Sequence, residues 1–172
     1  MLFSELMNML TNARGNLMAT IHGMDQSSLS WKKNAESWSA LQVLDHVQLV
    51  ELKVVLLLER LSSRAMDRHR LELADMIDVP ANVALSEFIP RYDSIPAYPA
   101  TEPATDRSLS EIQDRLDESR AQLLKLAKIG RDHDCSRLIA PHPVAGRLNY
   151  YEWVCLVAEH DRVHADQIVS SS

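Results

Sequence analysis

Residues 148–168 read LNYYEWVCLVAEHDRVHADQI, and the spacing of their side chains decides how the chain folds. Asn149 is placed to cap a helix, Glu152 stands three residues on where it can reach back to the cap's own N–H, and Leu148 and Trp153 flank them as a hydrophobic staple. From there Trp153, Val157, His160, His164 and Ile168 recur every three or four residues and draw one stripe along one helix face. Such a stripe buries itself against neighbours, so the stretch predicts an amphipathic helix. Two members of that stripe are histidines, which asks for a chemical explanation.

Three further segments carry the same period. Leu2, Leu6, Met9, Ala13, Leu17 and Ile21 predict a first helix ending near His22 or Gly23. A second opens at "WSALQV", where Ser39 and Gln42 form a capping box and Trp38 and Val43 a staple, and its stripe runs through Val43, His46, Val50, Val54 and Leu57. A third opens at "SLSEI" with Ser108 and Glu111 as the box, buries Leu109, Ile112, Leu116, Leu123 and Leu126, and is expected to stop at Gly130. The helix starting at Ser108 is separated from its predecessor by a helical extension from Glu59 to about Ile77 and then a proline-broken stretch, 79–107, with one helical turn expected around Ser86–Phe88. A connection that long lets the second and third helices lie parallel. Residues 131–148 are polar, then proline-broken, and leave room for a short extended piece. The predicted fold is all-α: a four-helix bundle with a long crossover between its second and third helices, built from residues 1–172 as one domain.

Composition agrees. The chain is 46% hydrophobic and 24% charged, with only four glycines in 172 residues, which suits helices better than a turn-rich sheet protein. A net charge of −6 excludes a general affinity for phosphate backbones, so no nucleic-acid partner is expected. Cys135 and Cys155 lack CxxC spacing and imply no disulfide framework, which fits a reducing, cytoplasmic setting. The run Val54–Leu58 is too short to span a bilayer, and "MLFSELMNML" reads as an amphipathic helix instead of an export signal, so no membrane partner is expected.

His160 and His164, at i and i+4, point the same way one turn apart and can reach one metal ion. A site inside a bundle takes its other ligands from facing helices, and His46 lies on the inward stripe of the second helix between Val43 and Val50. His22, His69, His133 and His142 fit less well, although His142 could line the mouth of such a site. A lone histidine on an apolar face is also met as a hydrogen-bonded core residue, and "HDRVH" lacks the Glu of the HExxH protease motif, so spacing alone leaves both readings open. Cys155 lies about 140° round the helix from His160 and reads as core. Asp45, Glu159 and Asp161 read as helix-surface charge, and Tyr92 and Tyr98 as surface connection, pocket wall or dimer contact.

Two blocks then carry a family likeness. "WSALQVLDHVQLVE" (38–51) and "HPVAGRLNYYEWVCLVAEHDRVHADQI" (142–168), about a quarter of the chain, resemble the first-histidine helix start and the closing HxxxH helix, with its following Gln, of the DinB/YfiT-like superfamily of metal-binding four-helix bundles. The resemblance implies a metal triad at His46, His160 and His164, a divalent ion that is zinc or nickel, and dimers formed through the bundle. It also implies a small-molecule substrate and, in part of the family, a low-molecular-weight thiol as co-substrate. The function expected on these grounds is a metal-dependent thiol S-transferase or hydrolase. Its rival is a non-catalytic bundle that binds a metal or ligand for stability or sensing.

Overall fold

A computed structural model describes residues 1–69, 71–81, 99–104 and 107–171. Four long helices dominate it: α1 (Phe3–Thr20), α3 (Ala40–Asp67), α4 (Leu109–Asp132) and α5 (Tyr150–Ser171). A single-turn helix, α2 (Gln26–Ser30), follows α1, and a two-stranded antiparallel hairpin, β1 (Ile139–His142) with β2 (Gly146–Asn149), leads into α5. The hairpin is the extended piece for which the sequence left room, and α2 is additional to the helices predicted.

The helix starts follow from capping chemistry. Ser39 accepts from the Gln42 N–H and Ser108 from the Glu111 N–H, and in both boxes the side chain three residues on reaches back to the cap's backbone. The Asn149 side chain accepts from the N–H groups of Tyr151 and Glu152, while Glu152 takes the Asn149 N–H at 2.8 Å. Leu148 and Trp153, the staple pair, are both buried.

Two apolar clusters give the helix directions. One joins Leu6 and Leu10 of α1 to Leu58 of α3, Leu123 of α4 and Val154 of α5; the other joins Leu17, Leu44, Ile112 and Ile168. Thus α1 and α5 run one way and α3 and α4 the other. The long crossover joins two parallel neighbours, as its length allowed.

Two boundaries differ from expectation. The extension of α3 stops at Asp67, not near Ile77, and His69 takes a left-handed backbone (φ 49°) just beyond it. Residues 71–81 run extended instead: Phe3 N–H donates to Ile77 O at 2.8 Å and Met76 N–H to Arg131 O at 2.9 Å, so backbone bonding to α1 and α4 replaces helix there. The helical turn expected at 86–88, and Tyr92 and Tyr98, lie outside the described residues.

The second difference is Gly130, which does not end α4 but sits inside it. A Cβ there would lie 3.0 Å from Tyr151 Cε1 and 3.1 Å from Tyr150 Cε1. Both rings are buried and pinned, Tyr151 by donating to Gly130 O at 2.7 Å and Tyr150 by donating to Leu126 O at 2.9 Å. Glycine here is a close-approach residue. Gly130→Ala gains about 1 kcal/mol of helix propensity but loses about 1–3 kcal/mol to overpacking. We expect a lower urea midpoint for the variant; a higher one would show that the rings have room to yield.

Candidate metal centre

The three stripe histidines converge. His46 comes from the second turn of α3, and His160 and His164 from successive turns of α5. One ligand atom from each lies within 4.8 Å of the others, and the Nε2 atoms of His160 and His164 are 3.1 Å apart. The imidazole rings surround a common point, with centroids 4.3–5.1 Å apart.

Tautomers follow from the outer partners. His46 Nδ1 lies 2.8 Å from the Thr101 carbonyl, which can only accept, so Nδ1 carries the proton and the Nε2 lone pair faces inward. His164 Nδ1 lies 2.6 Å from Gln167 Oε1, with the same consequence. These are the acceptors that orient ligand histidines in metal sites. Burial lowers the pKa of His46; it holds His160 well below the ordinary range, with His164 adding to the effect; and it brings His164 to about 4, helped by His46. All three are therefore neutral at pH 7, the form in which imidazole ligates.

The donor set fits a divalent ion. Two nitrogens bound tetrahedrally at ~2.0–2.1 Å stand ~3.3 Å apart, close to the 3.1 Å of the α5 pair. No fourth His, Cys, Asp or Glu joins the group among the described residues, and an ion held by three histidines alone would keep a position open.

The remaining histidines stay apart. His22 and His69 are exposed, and His133 closes α4. His142 Nδ1 accepts from the N–H groups of Val144 and Ala145 and so shapes the hairpin turn, while its ring lies 5.4 Å from that of Trp153. Cys155 is buried, as expected of a core residue.

Two carboxylates read as surface charge are instead fully buried. Asp45 accepts from the Ala104 N–H at 2.7 Å and pairs with Arg107, tying the end of the crossover to α3 one residue before His46. Asp161 belongs to a quartet with one member from each long helix: Arg14, Glu51, Arg120 and Asp161. Arg14 donates to Asp161 at 2.9 Å and also pairs with Glu51; Arg120 donates to Glu51 at 3.1 Å and to Asp161 at 2.8 Å. Glu159, by contrast, pairs with exposed Arg162 within α5.

A signal for the quartet existed. Arg14 falls between Leu10 and Leu17, Glu51 between Val47 and Val54, Arg120 between Leu116 and Leu123, and Asp161 between Ala158 and Ala165, each at the buried period. Two charges of each sign on four inward stripes point to mutual pairing. Thr101 gave no such signal, because its contribution is a backbone carbonyl.

Comparison with known proteins agrees with this geometry. The solved four-helix bundle protein TT2238 superposes with a TM-score of 0.65 at 24% identity, covering 98% of this chain and 99% of that one, a likeness of fold. The uncharacterized protein YuaE of Bacillus subtilis (strain 168) is 28% identical over 163 residues, 94% of each chain. The family model of the DinB superfamily matches residues 9–168, a span that holds the three convergent histidines and most of each long helix, and the chain belongs to that superfamily.

Proposed function

We propose that His46, His160 and His164 hold one divalent metal ion, zinc or nickel, and that the protein is a metal-dependent enzyme of the thiol S-transferase or hydrolase kind acting on a small-molecule electrophile. The observation that carries this reading is the inward aim of neutral Nε2 atoms fixed by Thr101 and Gln167, with no fourth ligand among the described residues. The chemistry such an ion supplies when bound is a lowered pKa for a water or thiol sharing its coordination sphere, so that hydroxide or thiolate is available near pH 7. The chain's own part is orientation and exclusion. Thr101 and Gln167 hold two rings in the ligating tautomer, and the half-buried Trp38 ring, 4.9 Å from that of His46, shields one side from solvent. A low-molecular-weight thiol as co-substrate and a homodimer as the working state complete the proposal.

The test is elemental analysis of untagged protein purified without chelator, beside a His160→Ala/His164→Ala double variant. About one zinc or nickel per chain is expected, falling to background in the variant while far-UV circular dichroism keeps its helical form. Absence of metal from the native chain, even after incubation with both ions, would overturn the reading. Thiol-dependent turnover of the loaded protein then separates the enzyme from a purely binding bundle.

A further inference from the structure

A cavity of about 250 Å³ opens at the end of the bundle nearest the histidines, lined by Met24, Trp31, Trp38, Val43 and Ile168 among others. It adjoins the candidate metal centre through three residues. Val43 stands one turn before His46 on α3, Ile168 one turn after His164 on α5, and the Trp38 ring that walls the cavity packs against His46 at 4.9 Å. One helical turn, about 5.4 Å, separates the cavity's floor from the ligand histidines along both helices.

Its chemistry selects its occupant. No charged side chain lines it among the described residues; the only side-chain polar groups besides the indoles are the hydroxyls of Ser28 and Ser171. A charged group entering would lose hydration without gaining a partner. Trp31 is 53% exposed at this site, a large flat apolar face presented to solvent. As to size, an apolar protein cavity of about 150 Å³ takes up benzene, so 250 Å³ holds one ring with a few further atoms.

We infer that this cavity is the subsite for an uncharged aromatic ring of the small-molecule substrate, set so that the substrate's reactive group reaches the three histidines. The inference rests on the metal-dependent reading above. It adds a substrate class and makes Trp31 and Trp38 specificity-determining residues.

Tryptophan occurs three times in the chain, at 31, 38 and 153, so indole N–H resonances give a three-signal assay with Trp153, in the opposite cluster, as internal control. The probe is benzyl alcohol, titrated into the zinc-loaded full chain with zinc content measured on the same sample. The Trp31 and Trp38 signals should shift saturably and the Trp153 signal should stay in place. Trp31→Ala, an exposed substitution, should weaken binding about tenfold with zinc content unchanged. The His160→Ala/His164→Ala variant should lose zinc and keep the shifts.

Zinc bound with no saturable shift overturns the subsite and leaves the metal reading intact. Shifts in a native chain that takes up no zinc overturn the metal reading, and the cavity then stands only as a binding site. If Trp31→Ala instead changes the oligomeric state by gel filtration and native protein ignores benzyl alcohol, the cavity is a contact between copies of the chain and the proposal fails.

Discussion

Asp161→Asn is expected to destabilise the protein by about 3–5 kcal/mol, the cost of leaving a buried ion network short of one charge. Arg14 and Arg120 would then share Glu51 alone, with both carboxylate sites at most 1% exposed. Against a total stability of about 5–15 kcal/mol, that is a large fraction, equivalent to a fall in Tm on the order of 10 °C for a chain of this size. Thermal melts followed by circular dichroism check it. A companion variant, Arg14→Met/Asp161→Leu, removes one charge of each sign and leaves Arg120 with Glu51. It should recover most of the loss, because replacing a balanced buried pair by apolar groups costs little. A single-variant effect below about 1 kcal/mol would mean that the pair is solvated, as surface pairs are.

Acid should unfold the metal-free protein in a window set by its histidines. In the unfolded chain a histidine protonates near 6.5, whereas folded His164 resists protonation to about 4 because of burial and then of His46. Between those values the unfolded state binds more protons than the native one, so stability falls as pH falls, and below about 4 this group takes no more. The shift corresponds to about 3 kcal/mol from His164, and His46 and His160 act in the same direction. Urea midpoints measured from pH 7.5 to 4 should decline through this range. The His160→Ala/His164→Ala variant should lose most of that slope, and a native chain with level midpoints would contradict the buried neutral state of the three rings.

Legibility from sequence divided along the range of the interactions concerned. Caps, staples and stripes are written within a few residues, which is why Ser39, Ser108 and Asn149 mark their helices without reference to anything distant. The convergence of the three histidines was accessible for a related reason: His160 and His164 share one helix, and His46 lies on a stripe that had to face inward. Boundaries set by contacts across the fold were not accessible. Nothing near Asp67 announces that Ala74 and Met76 will bond to Asp132 and Arg131, and nothing near Gly130 announces two tyrosines twenty residues on. The buried carboxylates were missed because a charge was judged by its neighbours in sequence. Asp45 finds Arg107 sixty-two positions away and Asp161 finds Arg14 at 147, and only the sum over four stripes shows that the charges balance.

The two outer partners of the histidines differ in how they tolerate mutation. His46 is oriented by a main-chain carbonyl, which almost any residue at position 101 would supply, so point changes there leave that ring's tautomer alone. His164 is oriented by the side chain of Gln167, which a single substitution removes. Genetic drift therefore reaches one histidine's orientation and spares the other's. On the proposed metal-binding reading, position 167 is where an engineer could adjust metal affinity in small steps without disturbing the helices that hold the site.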